Sequence, residues 1–209
     1  MPKKLRRIRR VTKKRPVSIL EPGVFRHAIV GLDVSLTETG LVIITATPDP
    51  HEVLYTDIVT TDPKARDLSR CLGAADVIIR TIQKGCFLYD KVSVFIEASG
   101  SSRFAGKLIT RMELVGMVKY KLFRIGCNLY TVTPASLKQE ITGKGNATKN
   151  KMLTKVNRLT GNEYTNDNVA DAHALSIYGW RMLIGGKRLD HDYLSNANDL
   201  ARFQSEQYL

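Results

Sequence analysis

Three stretches of the chain hold acids in settings where chemistry could follow. VGLDVSLTETGL, residues 30–41, puts Asp33 in the middle of an apolar, strand-like run. VFIEASG puts Glu97 at the C-terminal end of another such run, and NDNVADAHAL puts Asp171 at the head of a helical face with Ala174, Leu175 and Tyr178. An ionised carboxylate away from water costs several kcal/mol, roughly, unless it is paired or binds a cation. For Asp33 three readings compete: an acid bonded to turn amides, part of a phosphate-binding turn, or a metal ligand. On a helix turning about 100° per residue, Asp167 lies about 40° and Asn168 about 60° from Asp171, so both can share its face. Converging carboxylates repel one another and need protons or divalent cations. Hard oxygen donors without His–Cys sets suit Mg²⁺ or Mn²⁺ and disfavour zinc. Two such ions, about 3.5–4 Å apart, activate water and stabilise the leaving oxygen of a phosphodiester. Taken singly each acid has an ordinary explanation, and for Asp167 it is a helix cap.

These acids need a sheet and a helix to bring them together. AIVGLDV, GLVIITAT and EVLYTDIVTT read as three strands joined by short turns, most simply an antiparallel meander. ARDLSRCLGAADVIIRTIQ has helical periodicity, KVSVFIEA is a fourth strand, and FAGKLITRMELVGMVKYKLFRIG is a long amphipathic helix closed by Gly126. NLYTVTP is a fifth strand. PASLKQEI, ATKNKMLTKVNRLTG and NVADAHALSIYGWRMLIGG are helices, and the tail holds one further short helix. The order implies an α/β domain, a mixed five-stranded sheet flanked by helices. A fourth strand parallel to the first would set Glu97 beside Asp33.

At 209 residues the chain holds one sizeable core. The expected organisation is a basic arm and linker over 1–25, a domain over 26–186 and a tail over 187–209. Of a net charge of +12, nine cations lie in residues 1–15, among them Arg6, Arg7, Arg9 and Arg10, with no acid. The arm is expected to be disordered when free and suited to a polyanion, most simply nucleic acid. A targeting or solubility tail is the bland reading. No run of apolar residues reaches transmembrane or signal-peptide length, so the expected setting is cytoplasmic, without secretion or a membrane partner. Cys71, Cys86 and Cys127 form no CxxC pair and are expected to be reduced.

GLDVSLTETGLVII, VFIEASG, TPASLKQEITGKGNATKNKML and NDNVADAHALSIYGW, in that order, resemble RuvC-type Holliday-junction resolvases of the RNase H-like (retroviral-integrase) superfold. The resemblance covers about residues 26–184, and LKQEITGKGNATK is its most specific element. It implies a Mg²⁺-dependent homodimer, two ions per active site, that nicks opposed strands of a four-way DNA junction. The basic arm and the tail after Gly186 lie beyond the bacterial family core and suggest a phage or otherwise divergent member. Residue by residue, Asp33, Glu97 and Asp171 match family metal ligands, and Lys138 and Lys149 match basic positions that meet DNA. The sequence departs from the pattern twice. Asn168 stands where the family has an acid, with Asp167 one step earlier, and Asn168 is the favoured fourth ligand. No aromatic follows Glu97; Arg103 and Phe104 are the nearest candidates to touch DNA, although Phe104 also suits a helix-start core position.

Lys144, in TGKGNA, is expected to touch the DNA backbone, and that stretch lacks the spacing of a P-loop, so no nucleotide cofactor is expected. His173 is expected to face away from Asp171, in the core or at the surface. Met112, Leu114, Val115, Met117 and Val118 are expected in core or dimer packing. Other functions stay open: a fork or flap nuclease, RNase H activity on hybrids, or a branched-DNA-binding protein without catalysis. An actin-like ATPase needs a second, similar half, for which this chain is too short.

Overall fold

The computed structural model describes residues 26–47, 53–62, 67–98, 105–185 and 193–194. In chain order these form β1 (His27–Asp33), β2 (Glu38–Thr45), β3 (Val53–Thr60), α1 (Asp67–Gly85), β4 (Lys91–Glu97), α2 (Ala105–Arg124), β5 (Asn128–Val132), α3 (Pro134–Thr142), α4 (Lys149–Thr160), α5 (Asp167–Leu183) and β6 (Tyr193–Leu194). The sheet order is β3-β2-β1-β4-β5-β6. β1, β2 and β3 are the expected antiparallel meander, and β4 and β5 run parallel to β1. The expected five strands are thus present in a mixed sheet. Tyr193 and Leu194 of the tail add a two-residue strand antiparallel to β5; the rest of the tail, for which one short helix was expected, lies outside the described residues.

Six of the seven residues of β1 are buried, as a central strand covered on both faces requires. Alternation along it separates two cores. Ala28, Val30 and Leu32 meet α1 and α2, through residues such as Ile78, Leu114 and Val118. Ile29 meets the other layer, built from α3, α4 and α5, with Phe95 of β4 on the same side. Asp33 has the parity of Ile29, and Glu97 that of Phe95, so both acids belong to the α5 side.

Glycine sets how closely α5 lies on the sheet. A Cβ at Gly31 would stand 1.8 Å from the Ala172 carbonyl oxygen, and one at Gly40 would stand 2.0 Å from that of Asn168. Only a residue without a side chain admits the helix backbone at that range. Gly40 therefore lies within β2 and makes room for a helix. The turn between β1 and β2 is closed by side chains: Ser35 N donates to Thr39 Oγ1 at 3.0 Å, and the Thr39 hydroxyl donates to the Ser35 carbonyl at 2.8 Å. No helix among the described residues is long and apolar enough to cross a membrane, and Cys71, Cys86 and Cys127 are buried and outside any disulfide among the described residues.

Candidate active site

Asp33 is the last residue of β1, beyond the mid-strand position expected for it, and Glu97 is the last residue of β4. The parallel register pairs Leu32 with Ile96, so the two carboxylates leave the sheet side by side. Asp33 also pairs with Gly40, beneath the Asn168 carbonyl. One helical turn separates that carbonyl from the Ala172 carbonyl over Gly31, and Asp171 stands just before the second. The flush seating of α5 thus delivers Asp171 to the strand ends. Asp33, Glu97, Asp171 and Asn168 line one side of a cleft, with Lys138, Lys149 and Arg111 among its other walls.

The basic wall is held by capped helices. Thr133 caps α3 by accepting from Ser136 N, Pro134 starts the helix, and Gly143 ends it at φ 78°. Arg181 of α5 ties α3 down, its Nη1 lying 2.9 Å from Glu140 Oε1. Lys149 is the first residue of α4, after the Thr148 cap. A cation at a helix start is opposed by the helix dipole, so its place there calls for an anion in front of it.

Burial disfavours the charged forms of the acids. Burial raises the Asp33 carboxyl to about 7, helped by Glu97 and Asp171 and opposed by Arg111 and Lys149. Burial, followed by Glu97, raises Asp171 to about 6; Lys149 and Lys138 oppose this and Asp167 adds to it. The cations of the cleft oppose these shifts without cancelling them, and a hard divalent cation would favour the ionised forms. The donor set, carboxylate oxygens with an amide beside them, fits such an ion. As the side chains lie, no three acidic, His or Cys groups among the described residues close round one point. Between two of them stands Arg111: its Nη2 is 3.6 Å from Asp33 Oδ1 and 3.5 Å from Glu97 Oε2.

The model of the family "Crossover junction endodeoxyribonuclease RuvC" matches residues 29–178. The chain belongs to the RuvC family. A curated RuvC from Clavibacter michiganensis is 30% identical over 158 residues, covering 73% of this chain and 76% of the relative. The fold is that of Thermus thermophilus RuvC, with a TM-score of 0.65 at 20% identity over 80% of this chain and 99% of that one. The T. thermophilus protein in complex with Holliday junction substrate matches at 0.63 and 18% identity, with the same coverage.

Within this RuvC framework the residues singled out from sequence fall into three groups. Asp33, Glu97, Asp171, Asn168, Lys138 and Lys149 share the cleft. Asp167 and Lys144 lie apart from its lining. Asp167 begins α5, but the cap is Asn166, whose side chain accepts from Asn168 N and Val169 N. An Asn one residue earlier takes the role for which Asp167 had been the bland candidate. Lys144 lines a separate hollow with Asn146, Thr148 and Lys151. Arg103, Phe104 and the arm residues Arg6, Arg7, Arg9 and Arg10 lie outside the described residues. His173 is fully buried and its Nδ1 meets the Tyr164 hydroxyl at 2.9 Å, so of the two expected places it takes the core.

Two residues at or beside the cleft escaped sequence reasoning. Glu38 Oε2 accepts from Asn168 Nδ2 at 3.2 Å, which turns the amide's carbonyl end away from Glu38. Arg111 is the other. It had a sequence signal: Leu114, Val115 and Val118 follow it by three, four and seven residues and are buried, so a cation sits on the buried stripe of α2.

Proposed function

We infer that the protein is a crossover junction endodeoxyribonuclease, a hydrolase of DNA phosphodiesters, and propose that it resolves four-way junctions with Mg²⁺ by paired symmetric nicks. The observation that carries this is the meeting of Asp33, Glu97 and Asp171, from three separate elements, in a cleft walled by Lys138 and Lys149. The three carboxylates would hold the ions, two per site with Mn²⁺ able to substitute, and the Asn168 amide oxygen would complete the set. When bound, the ions would supply Lewis-acid activation of water and neutralise charge at the leaving oxygen. Lys149 and Lys138 would fix the scissile phosphate over the acids, and Lys144 would touch the DNA backbone beside them. Arg103, Phe104 and the arm would extend this contact.

Paired nicks on a two-fold junction are most simply made by a two-fold dimer. Support comes from α2, which exposes Ile109 (58%), Met112 (56%) and Tyr120 (61%) although its inner face is already filled. Nicking of an end-labelled four-way junction, with and without Mg²⁺, tests the reading. The expected result is Mg²⁺-dependent cuts placed symmetrically in opposed strands. Preferential cutting of forks, flaps or RNA–DNA hybrids would transfer the activity to those substrates, and tight junction binding without cleavage would reduce the protein to a binding module.

A further inference from the structure

Arg111 differs from the other cations of the cleft in where it comes from and how it is held. Lys138 and Lys149 stand on α3 and α4, on the same side of the sheet as α5 and the acids. Arg111 stands on α2, in the opposite layer, and reaches past the strand ends. Its Nε donates to the Val34 carbonyl at 3.0 Å, a normal hydrogen bond to the backbone that follows Asp33. Its Nη2 lies 3.6 Å from Asp33 and 3.5 Å from Glu97. Those two distances exceed the roughly 2.7–2.9 Å of a charge-assisted hydrogen bond. One end of the guanidinium is therefore anchored to backbone, while the other neutralises two carboxylates without locking onto either.

We propose that Arg111 is a built-in counter-cation that occupies the space between Asp33 and Glu97 and competes there with the divalent ion. This rests on the reading of the acids as metal ligands. An ion bridging Asp33 and Glu97 must displace Nη2, and the Val34 anchor lets it do so without releasing the whole side chain. Before the ion arrives, one positive charge keeps two nearby acids from driving the strand ends apart. Once it has arrived, the same charge stands beside the ion and weakens its binding. Arg111 thereby raises the concentration of divalent cation needed to fill the site on DNA-free protein. A phosphate added by substrate would offset the repulsion and favour filling on DNA.

The test is Mn²⁺ binding to DNA-free full-length protein, followed by calorimetry and by the rise in Tm that binding to the folded state produces. Arg111→Gln should bind Mn²⁺ about tenfold more tightly or better, since a like charge a few ångströms away has been removed. Its Tm in EDTA should fall below that of the wild type. Arg111→Lys keeps the charge but loses the planar anchor, so its Tm in EDTA should also fall while its Mn²⁺ affinity stays near the wild-type value. That split separates charge from packing. Equal or weaker Mn²⁺ binding by Arg111→Gln would overturn the competition and leave Arg111 a supporting residue. Asp33→Asn in the same titration checks the reading beneath it: if Mn²⁺ binding survives that change unaltered, the acids are not the ligands and the proposal falls with them.

Discussion

β1 and β4 carry polar side chains toward both ends of the same face, and the two ends are built in opposite ways. Toward the N-terminal end, His27 Nε2 and Ser93 Oγ meet at 2.9 Å. Burial, with Lys91 nearby, pushes His27 down to about 4, so the pair is neutral at pH 7 and satisfies itself. At the C-terminal end Asp33 and Glu97 follow the Leu32–Ile96 pair side by side, whereas His27 and Ser93 are offset by two residues; both are acids, and Asp171 of α5 adds a third. The first end adds a hydrogen bond to the fold. The second gathers acids whose charged forms burial disfavours, and a bound cation would stabilise them. The same strands and the same alternation serve both, so residue chemistry alone separates a structural pair from a site.

Breaking the charged end should have the largest effect. Asp33→Asn, Glu97→Gln or Asp171→Asn should each lower junction cleavage by orders of magnitude in a nicking assay, while gel-shift binding to the junction survives. His27→Gln, at the other end, should leave cleavage near wild type and lower stability by about 1 kcal/mol in urea unfolding. Loss of cleavage in both sets would erase the distinction between the ends.

Geometry comes next. At Gly40→Ala the new Cβ meets the Asn168 backbone at 2.0 Å, so α5 must lift and carry Asp171 with it. A loss of roughly 1–3 kcal/mol in urea unfolding is expected, together with a fall in cleavage. Gly73→Ala, in α1 with nothing within 4 Å of the new Cβ, is the control. It should be neutral or stabilising by up to about 1 kcal/mol.

The charged end should also mark stability against pH. Asp33 and Asp171 have folded values raised to about 7 and about 6, above the ordinary carboxylate value of 3.8. At these two groups the folded state binds more protons than the unfolded one between about pH 4 and 7, so their contribution to stability falls as pH rises through that window. Metal-free protein in EDTA should lose on the order of a few kcal/mol from pH 4.5 to 8 beyond what Asp33→Asn loses. Saturating Mg²⁺ should remove most of the loss at the upper end. His27, lowered from 6.5 to about 4, works in the opposite sense: the unfolded state holds its proton between about pH 4 and 6.5, so its contribution to stability rises with pH there, and the comparison with Asp33→Asn cancels it.

The smallest effect separates Asn168 from Asp167. Asn168 lines the cleft and Asp167 does not, so Asn168→Ala should raise the Mg²⁺ concentration needed for half-maximal cleavage. Asp167→Asn should leave it nearly unchanged and reduce stability by about 1 kcal/mol or less, because Asn166 already caps α5. The reverse ranking would make Asp167 the ligand.

Much of this was legible in the chain. Strand alternation and the long helices follow from local periodicity, and strand order follows from connection length, which is why Asp33, Glu97 and Asp171 could be placed near one another. What was not legible depends on reach across the layers. Arg111 spans from α2 to the far side of the strand ends, a distance that no local pattern records, although its place on a buried stripe was visible. The need for glycine at position 40 is hidden until the Asn168 backbone above it is known. The Asn166 cap differs from an Asp167 cap by one residue, within the uncertainty of any helix start read from sequence. The Glu38–Asn168 bond joins residues 130 positions apart.

The most direct measurement is anomalous diffraction from crystals of the full-length protein soaked in Mn²⁺. The account predicts anomalous density between Asp33, Glu97 and Asp171, with Arg111 Nη2 withdrawn from both carboxylates and its Nε still on the Val34 carbonyl, and no density near His27 and Ser93. Mn²⁺ bound away from these three acids, with Arg111 still seated between Asp33 and Glu97, would contradict it.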